Sequence, residues 1–278
     1  MPIARINGIK LYYEEAGSGS PLVWVHGFSC GLRTWDPQVQ HFSPARRVIT
    51  YDVRGFGISE APQSASAYSQ DICVADLAGL LDHLDMESAV IGGLSMGGGI
   101  ALNFALAHPG RVSALIVADA GAGSDNTADW IAGTLRYAEA AERGGVEAFA
   151  DLACANPLFM RYIEQGPDRE RFIRSCLMTH RAHGIAHSAR ETLAKRPTIY
   201  SLEERLRKVN IPTLLIVGEH DAPCVKVHEF MGRTIPRARS VVLPGVGHLS
   251  NLEAPEAFNT HVRKFLDDVV PSAVPSRS

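Results

Sequence analysis

The sequence predicts an α/β protein with a mostly parallel eight-stranded sheet, helices on both faces of that sheet and an inserted helical lid. Short apolar runs that suit strands alternate with stretches of helical periodicity up to residue 121, and the alternation resumes after residue 200. Between these parts, residues 122–200 show helical periodicity without strands. We therefore expect a core domain formed by residues 1–121 and 201–270, and a lid formed by residues 122–200.

The bulk composition is that of an ordinary globular protein. Of 278 residues, 46% are hydrophobic and 21% are charged, and a net charge of −3 leaves no basic footprint for a nucleic-acid partner. No apolar run approaches about 18 residues and no signal peptide is recognisable, so we expect a cytoplasmic protein without a membrane partner. The five cysteines form no C-x-x-C pair, which favours free thiols. Residues 271–278 are rich in Pro and Ser and predict a disordered tail.

The first part of the chain predicts a hairpin over residues 3–16, followed by two buried strands. The apolar run of residues 21–25 ends at a His-Gly-Phe turn, and the run of residues 47–52 ends in a loop that contains two close glycines. We expect the polar side chains next to these strand ends to brace the loops rather than to perform chemistry. These side chains are His26, Asp52 and Arg54.

The stretch SAVIGGLSMGGGIAL, residues 88–102, predicts a buried strand that turns sharply into a helix at Ser95. A helix over about residues 68–85 precedes it. Glycines two positions before and after the serine, Gly93 and Gly97, remove side chains that would collide in such a turn. The turn exposes Ser95 Oγ beside a helix N-terminus, where unpaired N–H groups favour a developing negative charge.

The later elements repeat the alternation of strands and helices. Strands are predicted over residues 112–118, 213–218 and 238–243, and a closing helix over residues 254–270. Asp221 and His248 follow the last two of these strands.

The carboxyl ends of parallel strands meet at one edge of a sheet, so Ser95, Asp221 and His248 are expected to converge. In that arrangement His248 accepts the proton of Ser95 as a general base, and Asp221 orients the imidazole and stabilises its cation. Asp119 also follows a strand and is the alternative acid. The backbone N–H groups of Met96 and Phe28 are the expected oxyanion donors.

The lid is expected to cover this edge of the sheet and to form a mainly apolar substrate pocket. Phe28 and Trp130 are the predicted lining residues. The lid holds ten acidic and ten basic residues, a balance that favours an uncharged substrate unless one arginine is suitably placed. Arg136, Arg161 and Arg181 are the candidate anchors for a charged substrate.

Three lid histidines recur at spacings of three and four residues. His180, His183 and His187 lack the carboxylate of an H-E-x-x-H motif, and Gly184 weakens a helix between them. We therefore predict no metal site and interpret the histidines as a polar helix edge.

Five segments make the chain resemble the α/β-hydrolase family over roughly residues 10–121 and 201–268. The segments are HGF at 26–28, DVRGFGIS at 52–59, GLSMGG at 93–98, GEHD at 218–221 and GHLSNLEAPE at 247–256. Within that family the chain is similar to small-lid carboxylesterases and 3-oxoadipate enol-lactonases. Ser95 departs from haloalkane dehalogenases and epoxide hydrolases, which use Asp at this turn. Gly27 stands where the enol-lactonases commonly have Ser.

The resemblance implies hydrolysis of a small-molecule ester or lactone without a cofactor. A carboxylesterase that forms an acyl-enzyme is the first interpretation, and an enol-lactone hydrolase is the alternative. The third possibility is a ligand receptor on a hydrolase fold, because a fold does not determine a function. A homodimer is possible.

Overall fold

The structure is a computed structural model and describes residues 2–270. The predicted disordered tail at 271–278 lies outside these residues. Eight strands are present: β1 (Ile3–Ile6), β2 (Ile9–Ala16), β3 (Pro21–Val25), β4 (Arg47–Tyr51), β5 (Ala89–Leu94), β6 (Val112–Ala118), β7 (Thr213–Gly218) and β8 (Ala238–Leu243).

The eight strands form one sheet in the order β1-β2-β4-β3-β5-β6-β7-β8. The β1–β2 and β2–β4 pairs are antiparallel and all other pairs are parallel. This arrangement confirms the predicted α/β class. Strand β5, which leads to Ser95, lies between β3 and β6 and is buried along its whole length.

Helices cover the sheet on both sides and fill the segment between β6 and β7. They are α1 (Asp36–Phe42), α2 (Gln70–His83), α3 (Met96–Ala107), α4 (Thr127–Cys154), α5 (Pro157–Ile163), α6 (Pro167–Leu177), α7 (Ala182–His187), α8 (Glu203–Leu206), α9 (Ala222–Thr234), α10 (Ser250–Glu253) and α11 (Pro255–Val269). Helix α4 changes direction at Gly145, whose φ is 72°. No helix within residues 2–270 combines the length and apolar character needed to cross a bilayer.

Alternate side chains of the strands enter two separate cores. In β3, Val23 packs in the core that contains Leu77 of α2 and Ile100 of α3. The neighbouring Trp24 packs in the other core, against Trp35 at a ring separation of 4.4 Å and near Phe258 of α11. Because both faces of the sheet are buried, the central strands carry continuous apolar sequence.

The loop after β4 is braced by a buried ion pair. Arg54 Nε and Nη2 donate to the two carboxylate oxygens of Asp76 at 2.6 and 2.7 Å. Asp52 accepts the backbone N–H groups of Leu32 and Ile58 at 2.9 and 2.8 Å. The side chains of Asp52 and Arg54 thus hold loop backbone and a helix, as the sequence predicts.

The three lid histidines contact this same loop. His180 Nδ1 accepts the N–H of Gly57 at 2.9 Å, and His183 Nε2 donates to the carbonyl of Ala61 at 2.8 Å. His187 Nε2 lies 3.0 Å from the carbonyl of Gln63. His180 is only 4% exposed, so the expectation of a polar helix edge is wrong for this residue. The histidines instead join the lid to the core loop.

Close backbone contacts at the β5–α3 junction generate a stability prediction. A Cβ added at Gly97 would lie 2.1 Å from the carbonyl oxygen of Val25. We expect Gly97→Ala to lower the free energy of unfolding by about 1–3 kcal/mol, because the contact is with backbone that cannot rotate away. Gly110→Ala is the matched control, since nothing lies within 4 Å of its added Cβ. Urea denaturation measures both variants, and equal stabilities would contradict the prediction.

Candidate active site

Ser95 occupies a strained turn between β5 and α3. Its φ is 55° and its ψ is −113°, a conformation that a residue with a side chain rarely adopts. The backbone holds it there, because Ser95 N–H donates to the carbonyl of Ala118 at 2.8 Å and its own carbonyl accepts the N–H of Gly99 at 3.0 Å. Ser95 is partly exposed whereas Leu94 and Met96 are buried.

His248 and Asp221 form a buried hydrogen-bonded pair at the same edge of the sheet. His248 Nδ1 lies 2.8 Å from Asp221 Oδ2, and the two residues are 5% and 1% exposed. Because a carboxylate can only accept, Nδ1 carries the proton in the neutral imidazole and Nε2 has the free lone pair. Ser95 and His248 line one cavity. The structure therefore brings together the three residues that the sequence predicts to converge.

Two opposing effects act on the protonation of His248. Burial acts to lower its pKa, whereas the charge of Asp221 and the hydrogen bond to it act to raise it. Asp119 and Glu253 add smaller raising effects, and the pKa of His248 is raised overall above its ordinary value. The surrounding carboxylates thus favour the imidazolium form.

Asp119 lies close to this pair but has other partners. Its Oδ1 accepts the N–H of Gly218 at 2.9 Å, and its Oδ2 accepts the hydroxyl of Ser250. Burial and the charge of Asp221 raise the pKa of Asp119 well above its usual range. The structure thus pairs His248 with Asp221 and assigns Asp119 to the backbone of β7 and to Ser250.

Two glutamates hold the loop that carries His248. Glu253 accepts the N–H groups of both neighbours of His248, from Gly247 at 2.7 Å and from Leu249 at 3.0 Å. Glu219 accepts the N–H of Gly245 at 2.7 Å. The Glu253 carboxylate therefore fixes the backbone on both sides of the imidazole.

The turn after β3 approaches the Ser95 turn from the side. A Cβ added at Gly27 would lie 3.4 Å from both the carbonyl of Leu94 and Cβ of Ser95. His26 shapes this turn, since Nδ1 donates to the carbonyl of Gly27 at 2.8 Å and Nε2 accepts the N–H of Val53 at 2.9 Å. His26 is thus a structural hydrogen-bonding residue, as expected.

Phe28 follows the first of these turns and lines the same cavity as Ser95, and Met96 directly follows Ser95. Within residues 2–270 neither group donates a hydrogen bond to another residue. Met96 is the first residue of α3, where the N–H groups have no partner inside the helix. Both N–H groups are therefore without a hydrogen-bond acceptor in the part of the chain that the structure describes.

The cavity above Ser95 has a volume of about 160 Å³ and is mainly apolar. Both predicted lining residues, Phe28 and Trp130, contribute to it. Seven further leucine and aromatic residues line it: Leu94, Tyr137, Leu152, Leu158, Phe159, Leu193 and Leu249. Of the three candidate arginines, Arg136 lines the cavity, whereas Arg161 Nη2 donates to the carbonyl of Gly245.

One polar group in this cavity, the Tyr137 hydroxyl, has a defined orientation. Asn156 Oδ1 accepts the N–H of Leu158 at 2.8 Å as the cap of α5, so its Nδ2 is the atom that donates to the Tyr137 oxygen at 2.6 Å. The Tyr137 proton is then free for another acceptor. The Asn-Pro start of α5 is visible in the sequence, but its contact with Tyr137 is not.

Asp221, Cys224 and His248 place three potential metal ligands within 4.8 Å of one another. Their chemistry does not suit a metal. His248 Nδ1 and Asp221 Oδ2 already share a hydrogen bond, and burial together with Asp221 and Asp119 raises the pKa of the Cys224 thiol well above its ordinary value. A metal requires the thiolate, so the donor set does not fit.

Comparisons with known proteins agree with this geometry. The model of the "Alpha/beta hydrolase family" matches residues 22–261. The chain is 30% identical to 3-oxoadipate enol-lactonase 2 of Acinetobacter baylyi over 90% of its own length and 91% of that protein. These matches support an ester or lactone hydrolase.

Two solved structures are similar over almost the whole chain. A thermophilic esterase from Thermogutta terrifontis, with malate bound, has a TM-score of 0.86 and 32% identity, covering 97% of this chain and 99% of that one. The enol-lactonase from Burkholderia xenovorans has a TM-score of 0.83 and 28% identity, covering 95% and 99%.

The contacts of Glu253 generate a prediction about His248. Replacing Glu253 by Gln removes a negative charge that raises the pKa of His248, so that pKa should fall. The amide also presents an N–H₂ group toward two backbone N–H groups, which loosens the loop. NMR titration of the His248 ring measures the pKa. Glu256→Gln, an exposed change on α11, is the control, and a pKa shift equal in both variants would contradict the assignment.

Proposed function

The chain belongs to the alpha/beta hydrolase family, and we propose that it is a carboxylic-ester hydrolase that acts through an acyl-enzyme intermediate on Ser95. The observation that carries the proposal is the buried 2.8 Å hydrogen bond between His248 and Asp221, beside a cavity that Ser95 also lines. The substrate is an uncharged small-molecule ester, and the proposed reaction needs no cofactor.

The first half-reaction transfers the acyl group to the enzyme. His248 Nε2 takes the proton of Ser95 Oγ while Oγ attacks the carbonyl carbon of the ester. The imidazolium then gives this proton to the leaving alcohol oxygen, and the acyl group stays on Ser95 Oγ. In the second half-reaction His248 deprotonates a water molecule, whose oxygen attacks the acyl carbon. The bond between the acyl carbon and Ser95 Oγ then breaks, the imidazolium returns its proton to Oγ, and the carboxylic acid leaves.

Asp221 and two backbone N–H groups stabilise the charges that develop in these steps. The Asp221 carboxylate keeps the Nδ1 tautomer of His248 and favours its cation. The N–H groups of Phe28 and Met96 would donate to the oxyanion of the tetrahedral intermediate. Loss of one such donor costs about 100- to 1000-fold in rate.

The size and lining of the cavity favour substrates with short or medium apolar acyl or alcohol groups. Its volume of about 160 Å³ and its leucine and aromatic lining match an uncharged chain better than a polar one. The free proton of the Tyr137 hydroxyl would bind an oxygen of the substrate and set its position in the cavity.

Enol-lactone hydrolysis is the second candidate. A lactone is an internal ester, so the same residues would open it while both product groups stay in one molecule. The full-length similarity to two enol-lactonases favours this candidate. A ligand receptor would instead bind esters without turnover of the acyl-enzyme.

A variant of the nucleophile tests the proposal. Ser95→Ala should lower kcat/KM for p-nitrophenyl esters by several orders of magnitude while the unfolding midpoint stays close to that of the wild type, because the removed oxygen is the attacking atom. The kcat/KM values for p-nitrophenyl esters of graded acyl chain length and for unsubstituted lactones then measure the preference between esters and lactones. A folded Ser95→Ala variant with near-normal activity would falsify the proposal.

Two buried aspartates provide a matched test of the acid. Asp221→Asn should lower kcat by several orders of magnitude, because the amide cannot hold the catalytic tautomer of His248. Asp119→Asn should keep most of the activity, because an amide still accepts the N–H of Gly218 and can donate to Ser250. Steady-state kinetics on one neutral ester compares the variants, and the opposite order of losses would move the acid to Asp119.

A further inference from the structure

A second cavity lies beside the active-site cavity, where the lid joins the core. Trp130 and Leu193 line both cavities and form the wall between them. The other walls come from Gln70 at the start of α2, Gly99 in α3 and Arg196 after the last lid helix. The volume is about 30 Å³, which is room for about two water molecules or a group of that size.

Arg196 brings an uncompensated positive charge to this cavity. Its guanidinium stacks on the Trp130 ring at 5.0 Å, and Nη2 donates to the carbonyl of Ala122 at 2.7 Å. No carboxylate within residues 2–270 forms an ion pair with it. Burial lowers the pKa of Arg196 to about 10, so the group remains cationic at neutral pH.

Gln70 adds a buried amide without partners. The residue is 6% exposed, and neither its Nε2 nor its Oε1 has a hydrogen-bond partner within the described chain. Gln70 Nε2 and Arg196 Nη1 each lie 3.9 Å from the position that a Cβ of Gly99 would take. The two donors therefore face the same space above α3, which is open because residue 99 has no side chain.

We propose that this second cavity is a subsite for one carboxylate group, held by the Arg196 guanidinium and the Gln70 amide. Two donors that converge on a space of this size match the two oxygens of a carboxylate. The residues that line the cavity include no Asp or Glu, so no carboxylate there would balance the charge of a cation beside Arg196. Burial of the amide disfavours an empty site, because the unpaired donor is costly.

The carboxylate has two possible sources, a small free carboxylate ion or the far end of a substrate in the neighbouring cavity. Because Trp130 and Leu193 line both cavities, a molecule bound at Ser95 would have to displace the indole to reach Arg196. The second source rests on the proposed function. In that case Arg196, rather than Arg136, Arg161 or Arg181, is the arginine that reverses the preference for uncharged esters.

Direct binding is tested without catalysis. Acetate is titrated at constant ionic strength while tryptophan fluorescence is followed, with acetamide as the neutral control of the same shape. Trp24 and Trp35 are fully buried in the core, so the fluorescence change is expected to come from Trp130. A Trp130→Phe variant, which should lose this change, checks the assignment. We expect saturation with acetate and none with acetamide, and a Kd at least about tenfold weaker in Arg196→Met. Arg207→Met, at an exposed arginine on the core surface, should bind acetate like the wild type.

Hydrolysis separates the two sources. The kcat/KM of the p-nitrophenyl monoester of glutaric acid is compared with that of p-nitrophenyl valerate. If the substrate supplies the carboxylate, Arg196→Met lowers the ratio of these constants about tenfold, mainly through KM. If the ion is free, acetate still binds and the ratio is the same in both enzymes.

Two outcomes overturn the subsite. Equal responses to acetate and acetamide in the wild type would do so, and so would equal acetate affinities of Arg196→Met and Arg207→Met. These failures are distinct from failure of the proposed function. An enzyme without esterase activity that still binds acetate loses only the proposed function, and an active esterase that does not bind acetate loses only the subsite.

Discussion

The close approach of three backbone segments around Ser95 is the constraint on which the site depends. Gly97 stands where a side chain would strike the carbonyl of Val25, and a Cβ at Gly93 would lie 2.2 Å from the carbonyl of Gly97. Strands β3 and β5 can therefore deliver their loops to one place, with Ser95 held at φ 55° between them. The strain is maintained by packing, because β5 is fully buried between two parallel neighbours. Any oxyanion site formed by Phe28 and Met96 exists only as long as these segments stay in contact.

The hydrogen-bond partners of each carboxylate at the site, rather than its residue type, determine its electrostatic role. Asp119 and Asp221 are both buried aspartates that follow strands of the sheet, and each lies close enough to His248 to affect its pKa. Gly218 and Ser250 occupy the oxygens of Asp119, which leaves Asp221 for the imidazole. Glu253 adds a third carboxylate that works through the backbone on either side of His248. A cation on the imidazole is thus stabilised by the carboxylates of Asp221 and Glu253 before any substrate binds, which is the preorganised environment that proton transfer requires.

The sequence predicts the features that follow from the sheet. Ser95, Asp221 and His248 come after strands, and a parallel sheet brings strand ends together whatever the side chains of the helices are. Features that depend on how the lid lies on the core are not predictable in this way. His180 contacts Gly57 across 123 positions of sequence, and its apparent helical spacing with His183 and His187 gives no indication of a loop partner. Gln70 and Arg196 are directed at the same space because separate elements pack together. The direction of the Tyr137 proton depends on such packing in the same way.

The central proposal is that Ser95 carries the acyl group during turnover. The most direct measurement is rapid acid quenching of the enzyme during hydrolysis of p-nitrophenyl acetate, followed by peptide mass spectrometry. We expect an acetyl group on the peptide that contains Ser95, formed at the rate of the p-nitrophenol burst and absent from Ser95→Ala. Turnover without acetylation of that peptide, or with the acetyl group on another residue such as Cys30 in the same cavity, would contradict it.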